Sequence, residues 1–293
     1  MAAAAKEKGK LYVVATPIGN LEDITVRALR VLREVDLIAC EDTRQTRKLL
    51  EHYGIEKPTV SYHDYNEQER AQELVAKLQE GSSIAQVSDA GMPGISDPGY
   101  RVVKLAIEQG ITVVPIPGAS ALVTALAASG LPTDAFEFRG FLPAKSGQRR
   151  TLLESLRDFQ QTVIFYDAPH RILETLTEIA EILGPQRQVV IARELTKIHE
   201  EFIRGPAGEV LKALHDRQLR GEITLLIGKA ESAGLAPKKK DLPMRLNEIM
   251  ESERLDEKAA MKLLAKEQGL SKSELYRELQ RIRTSKSGPS GPR

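Results

Sequence analysis

Short apolar runs alternate with amphipathic stretches along most of this chain, at spacings that predict strands and helices in turn. Leu11–Ala15, Asp36–Cys40, Thr59–Tyr62, Ile84–Val87 and Ile111–Pro115 read as strands. Leu21, Ile24, Ala28, Val31, Leu32 and Val35 fall at helical spacing, with Asn20 as the expected N-cap and Asp23 in the first turn. Asn66 and Glu69 have the spacing of a capping box before a stripe of Leu74, Val75 and Leu78. Tyr100–Glu108 reads as a further helix. Strand and helix in alternation point to an α/β fold built on a parallel sheet.

The pattern changes near Gly118, where a boundary is expected. A helix of small residues follows (Ala121, Ala125, Ala127, Ala128, Ser129), then a strand in which Phe136, Phe138 and Phe141 alternate with polar positions. Gln148–Phe159 reads as a helix carrying Arg149 and Arg150. Thr162–Tyr166, Val189–Ala192, Glu200–Arg204 and Ile223–Ile227 read as strands; Ile172, Leu173, Leu176, Ile179 and Ile182, then Val210, Leu211 and Leu214, stripe two helices. Beyond Glu231 the composition is that of a linker, closed by Lys238-Lys239-Lys240, and the remainder is helical. Helix 256–268 stops at Gly269, and Ser271-x-x-Glu274 caps the next. That spacing suits a helix-turn-helix elbow or a plain helical hairpin. The expected organisation is a disordered stretch at 1–10, α/β domains at 11–118 and 119–230, a linker at 231–242, a helical appendage at 243–284 and a disordered tail at 285–293.

Candidate chemistry sits at the ends of the strands. Ser88-Asp89-Ala90-Gly91-Met92-Pro93-Gly94-Ile95-Ser96-Asp97-Pro98-Gly99 joins a buried strand to a helix, and its glycines allow a backbone to approach a ligand closely. Polar or Gly/Pro segments also end the strands at Thr16–Asn20, Pro117–Ser120, Tyr166–Arg171 and Arg193–Lys197. In open α/β sheets ligands bind at such carboxyl ends, so one cleft between the halves is expected to collect these loops. Glu41-Asp42-Thr43-Arg44 is either a helix cap or part of the site. No Gly-x-Gly-x-x-Gly follows a strand, no phosphate-loop motif is present, and no Gly-x-Ser-x-Gly elbow occurs. Dinucleotide, P-loop and serine-hydrolase chemistries are thereby disfavoured.

Charge refines the picture only when mapped. The chain carries 42 Lys+Arg and 41 Asp+Glu. From Pro237 onward, however, 14 basic residues face 9 acidic ones, so a basic appendage follows a mildly acidic body. A polyanion-facing tail is one reading and a solvated helical face the other. A lone cysteine, Cys40, excludes an internal disulfide and suggests a reducing, cytoplasmic setting. The histidines lack metal-ligand spacing, so no metal is expected. No run is long and apolar enough for a membrane span, and Met1–Ala5 is too short for a secretory signal.

Several of these segments together resemble a known family. They are Ala15-Thr16-Pro17-Ile18-Gly19-Asn20-Leu21, Ala39-Cys40-Glu41-Asp42-Thr43-Arg44, the Ser88–Gly99 loop, Tyr166-x-Ala168-Pro169-His170-Arg171 and Arg193-Glu194-Leu195-Thr196-Lys197. In them the chain is similar to the bacterial 16S ribosomal RNA (cytidine-2′-O)-methyltransferase I branch of the tetrapyrrole methylase superfamily, with Asp167 where the family pattern has glutamate. The resemblance covers Gly9 to Ala230 and extends to the helical tail. It implies a class III S-adenosylmethionine methyltransferase fold of two α/β domains with a helical C-terminal appendage. It also implies a homodimer, and a small-subunit RNA substrate methylated on the ribose 2′-oxygen of a decoding-centre cytidine.

The superfamily's Gly-Asp-Pro loop corresponds here to Ser88-Asp89-Ala90. Carried over residue by residue, the resemblance puts Pro17, Asp89, Ala90, Gly91, Ile95, Ser120, Ala121, Tyr166, Ala192 and Thr224 against the methyl donor. A ribose hydroxyl is a weak nucleophile, so a base or a cation beside it is needed. Glu194 or Lys197 is the candidate, with Arg193 orienting the ribose; a structural ion pair of Arg193 and Glu194 is the alternative. Candidate phosphate contacts are Arg44, Arg47, Arg149, Arg150, His170, Arg171, Lys238, Lys239 and Lys240, and Tyr62, His63 and Tyr65 are candidates for stacking a flipped base. Two rival readings are a methylase of the same fold acting on a tetrapyrrole or a protein, and an RNA-binding protein without catalysis.

Overall fold

The computed structural model describes residues 7–63, 65–230, 242–268 and 270–286, with the backbone alone over 283–286. The described residues up to Lys229 form one compact unit, and those from Ala230 onward a second. The expected N-terminal stretch at 1–6, the linker with Lys238, Lys239 and Lys240, Gly269 and the tail at 287–293 lie outside the described residues.

The first half of the larger unit is a five-stranded parallel sheet in the order β3-β2-β4-β1-β5. Its strands are β1 (Lys10–Val14), β2 (Leu37–Cys40), β3 (Thr59–Ser61), β4 (Ile84–Val87) and β5 (Thr112–Ile116). Side chains alternate across it. Ile38 and Cys40 pack with α1 (Val26–Glu34) on one face, while Ala39 packs with α3 (Glu67–Gln79) and α4 (Tyr100–Glu108) on the other. A sheet buried on both faces explains why its strands are apolar runs rather than alternating ones. The chain is ordered earlier than expected. The Gly9 amide bonds the Leu78 carbonyl (2.8 Å), and Lys10 already belongs to β1.

The second half is a mixed sheet in the order β6-β7-β10-β8-β9. Its strands are β6 (Phe136–Phe141), β7 (Thr162–Asp167), β8 (Gln188–Arg193), β9 (Glu201–Pro206) and β10 (Ile223–Ile227), of which only β6 and β7 pair in parallel. Helices α6 (Ser146–Glu154), α7 (Ile172–Ile182) and α8 (Ala207–Leu214) cover one face through Val163, Phe165, Ile191 and Leu225. The other face (Ile164, Val190, Ala192, Leu226) receives α5 (Ala121–Ser129), whose small residues allow a close approach. Ile18, from the loop after β1, is buried in this same cluster and so ties the halves together.

Two local expectations fail for identifiable reasons. The helix expected from Leu21 is broken at Ile24, which is extended (ψ 137°). Asn20 caps only a single 3-10 turn, and the Thr25 hydroxyl accepts the Ala28 amide (3.0 Å) to start α1 afresh. The Asn66–Glu69 capping box does not form. Asn66 turns back to the end of β3, accepting from the His63 amide (2.9 Å) and donating to the Ser61 carbonyl (3.3 Å). The cap alternative for Glu41–Arg44 is realised, since Asp42 accepts the Arg44 amide (2.8 Å) at the start of α2 (Thr43–His52).

In the smaller unit, α9 (Leu242–Ser252), α10 (Glu257–Glu267) and α11 (Lys272–Lys286) enclose a core of Leu246, Ile249, Leu264, Leu275 and Leu279. Asp256 caps α10, and Ser271 with Glu274 forms the expected reciprocal box (2.9 and 3.3 Å).

Candidate active site

The Ser88–Gly99 loop is clamped at both ends. At its start, Thr16 and Gly91 exchange backbone hydrogen bonds (2.9 and 3.1 Å), and the Thr16 hydroxyl donates to the Ser88 carbonyl (3.0 Å). At its end, the Glu67 carboxylate accepts from the Gly99 and Arg101 amides (3.2 and 3.3 Å), from the Arg101 guanidinium (2.8 Å) and from the Tyr62 hydroxyl (3.0 Å). Burial raises the Glu67 carboxyl, but these donors outweigh it and leave the group below its ordinary range. Gln86 donates to the Pro98 carbonyl (3.2 Å), and a side chain at Gly99 (φ +155°) would run into its amide.

This loop forms one wall of a cavity of about 360 Å³ in the larger unit. Of the positions expected against the methyl donor, Ala90, Gly91, Ile95, Ser120, Ala121, Tyr166 and Thr224 line it. Three do not. Pro17 is buried beside it. Ala192 is fully buried in the core, one strand over from Thr224. Asp89 is turned away, accepting the Asp42 amide (3.1 Å) at the head of α2, and partial desolvation there raises its carboxyl. The sequence reading missed Ile18, Met92, Asp97, Phe141 and Glu222, which line the cavity as well. Asp97 lies inside the Ser88–Gly99 motif, whereas Glu222 precedes β10 outside any motif. Tyr166 is fixed by edge contacts with Phe138 and Phe141 (ring centroids 5.0 and 5.4 Å). Burial, then the Asp97 charge, pushes its phenol above the ordinary value, so it stays protonated.

The Arg193–Lys197 segment meets this cavity through Gly221 and Glu222. Glu194 (φ +50°) and Thr196 (φ +65°) occupy the left-handed region, a strained turn of the kind found at functional sites. The Glu194 carboxylate accepts from the Lys197 ammonium (2.8 Å) and the Glu222 amide (2.9 Å), and Lys197 also donates to the Glu222 carboxylate (3.0 Å). Gly19 packs on the Lys197 stem so closely that a Cβ there would come within 2.5 Å of Cγ. The Lys197 hydrogen bond holds Glu194 below the ordinary carboxylate range. Burial pulls the Lys197 ammonium down, but its two carboxylate partners more than compensate and keep it charged. Arg193 does not face the cavity. It is spent on Glu201 (3.2 Å) and the Arg220 carbonyl (3.0 Å), neither on a ribose nor on Glu194, its expected ion-pair partner, which binds Lys197 instead.

Several expected phosphate contacts are corrected as well. Arg149 is wholly buried, bonded to Glu178 (2.6 Å) and Glu174 (2.8 Å), because a desolvated guanidinium needs every donor satisfied. Arg171 ties α7 to β7 through Asp167 and donates to the Leu142 carbonyl (2.8 Å). Asp167 also accepts from Thr175 (2.9 Å), so the departure from glutamate serves a structural tie. Tyr62 is buried and cannot stack on a base, whereas Tyr65 is fully exposed. Arg44 and Arg47 on α2 and His170 remain exposed, and Arg150 on α6 is half-buried and paired with Glu181 (2.9 Å).

The matched segments have close relatives. The model of the tetrapyrrole (corrin/porphyrin) methylases matches residues 10–211. The chain belongs to this family. It is 54% identical over 221 residues to ribosomal RNA small subunit methyltransferase I of Halalkalibacterium halodurans, covering 75% of this chain and 76% of that protein. It is 48% identical over 279 residues to the protein of that name from Escherichia coli O157:H7, covering 94% and 96%. Among solved structures, uroporphyrin-III C-methyltransferase of Thermus thermophilus, complexed with S-adenosylhomocysteine, shares the methylase fold. That likeness has a TM-score of 0.51 and 18% identity, over 76% of this chain and 98% of that one.

Proposed function

We propose that this chain is an S-adenosylmethionine-dependent methyltransferase of small-subunit ribosomal RNA that methylates the 2′-oxygen of a decoding-centre cytidine. The observation that carries this reading is near-half identity, along almost the full length of both chains, to proteins of that name. The choice of a 2′-oxygen and a cytidine rests on the sequence resemblance. A cytoplasmic homodimer acting on the assembled subunit completes the proposal, and light scattering of the purified protein tests the dimer. Among the described residues no helix is long and apolar enough to cross a membrane.

The cavity suits the donor chemically. It offers a carboxylate at Asp97, hydroxyls at Ser120 and Thr224, and apolar surface at Ile18, Met92 and Phe141. A cationic amino group, ribose hydroxyls and a flat base each find a counterpart there. S-adenosylmethionine, when bound, supplies an already activated methyl group, so the protein's work is positioning and charge. Glu194, held below the ordinary carboxylate range, is a poor proton acceptor. Lys197, kept charged, fits better as the cation that stabilises the developing ribose oxyanion, with Glu194 and Glu222 holding it in place.

Transfer of labelled methyl from S-adenosylmethionine to small subunits lacking this modification tests the reading. Label on the 2′-oxygen of one decoding-centre cytidine is the expected result. Binding of S-adenosylhomocysteine without transfer would leave the fold and cofactor intact but sink the substrate assignment.

A further inference from the structure

The cavity lining and the surface beside it differ in charge. Asp97, Asp167 and Glu222 line the cavity, Asp167 tied to Arg171 and Glu222 to Lys197 from outside it, and no Lys, Arg or His lines it. Pro169 and Gly221 line both this cavity and a second groove of about 480 Å³. That groove contains His170, Arg217 and Arg220 and no carboxylate. Arg217 is engaged by Glu201 (2.8 Å). His170 and Arg220 are exposed, and their side chains make no hydrogen bond or ion pair to the described residues.

The cationic rim is held in register with the catalytic cluster. Arg193 donates to the Arg220 carbonyl (3.0 Å). The next residue, Gly221 (φ +88°), packs directly on the Glu194 carboxylate. An anion held at Arg220 is therefore one residue removed from the backbone that positions Glu194 and, through it, Lys197.

A ribose within an RNA strand carries a phosphodiester on each side. Its 2′-hydroxyl enters a cavity lined by carboxylates at lower cost when a neighbouring phosphate rests outside that lining, on a surface of opposite sign. Guanidinium groups suit that contact, since they bind phosphate oxygens through paired, charge-assisted hydrogen bonds. We propose that the His170–Arg220 groove binds the phosphodiester flanking the methylated ribose. The inference rests on the RNA methyltransferase reading and adds to it the site that grips the strand beside the reacting nucleotide.

The test uses full-length protein carrying Arg220→Ala, and Arg220→Ala with His170→Ala. Arg30→Ala, an exposed partner of Glu34 on α1, controls for the loss of a surface charge. Binding of small subunits lacking the modification is measured across a salt series, beside kcat and KM. The expected result is about tenfold weaker subunit binding, a slope of log K against log salt shallower by about 1, and kcat within about twofold. S-adenosylhomocysteine affinity and melting temperature stay at wild-type values, which excludes misfolding. Unchanged affinity and slope in the double variant would overturn the groove. If wild-type protein binds subunits but transfers no methyl, while Arg220→Ala still weakens binding, the groove stands and the methylation reading falls. If wild-type protein binds no subunits, the groove falls as well.

Discussion

Replacing Gly221 with alanine separates the positioning of Glu194 from the stability of the fold. Gly221 has φ +88°, where a side chain costs about 1–2 kcal/mol. Its new methyl group would overlap the Glu194 carboxylate, the end of a flexible side chain that can swing aside. Swinging breaks the hydrogen bonds to the Glu222 amide (2.9 Å) and to Lys197 (2.8 Å). Such charge-assisted bonds are worth about 1.5–3 kcal/mol when buried, and less here because water reaches the pair. The expected loss is therefore about 3 kcal/mol, or roughly 6–12 °C in melting temperature for a unit of this size. Activity should fall further. Lys197 would keep only Glu222, whose side chain is 76% exposed, and a displacement of about 1 Å costs roughly a hundredfold in rate. The assay is kcat for methyl transfer well below the melting temperature, with S-adenosylhomocysteine affinity as control. Gly221→Ala combined with Glu194→Ala should melt above the sum of the single losses, because the overlap is gone. A Gly221→Ala enzyme with wild-type kcat would refute the argument that Glu194 must be held where it is.

Other perturbations probe the rest of the molecule. Arg149→Ala strands the Glu178 carboxylate in the core and should cost about 3–5 kcal/mol in thermal unfolding, with no change in the salt slope of RNA binding. Glu67→Gln loosens the far end of the Ser88–Gly99 loop without touching the cavity. S-adenosylmethionine KM should rise about tenfold at nearly constant kcat, since a 1.4 kcal/mol loss of loop anchoring appears as binding. Thr25→Ala removes the cap that starts α1 and should cost about 1 kcal/mol by denaturant titration. Glu194 also has a pH signature. Its folded pKa lies below its unfolded value of about 4.3, so its contribution is complete above that value and is lost as pH falls through the folded pKa. Melting temperature should therefore drop more steeply below about pH 4 in the wild-type protein than in Glu194→Gln.

What the sequence disclosed and what it hid divide along a physical line. Strands such as Ile84–Val87 and helices such as Tyr100–Glu108 were legible because burial on a sheet imposes a local apolar period. The loops at the strand ends were legible because glycine and proline are local signals of backbone geometry. The break at Ile24 was not, because a hydroxyl cap at Thr25 competes with an apolar stripe that runs on regardless. Charged residues were the least legible, because their role depends on what they face. Arg149 and Arg150 are neighbours on one helix, yet one is wholly buried against Glu178 while the other is half-buried and reaches Glu181 at the surface. Arg193 sits next to the candidate catalytic pair and points away from it, and Arg220, 27 residues on, supplies the unpaired charge beside the cavity. Glu222 completes the Lys197 cluster from the loop that enters β10, a meeting that the β8–β10 register creates. Where a side chain's role is set by the partner across a sheet rather than by its own neighbours in sequence, composition and spacing hold no trace of it. That is why Gly91 could be named before the fold was known, and Gly221 and the Glu222 counter-ion of Lys197 could not.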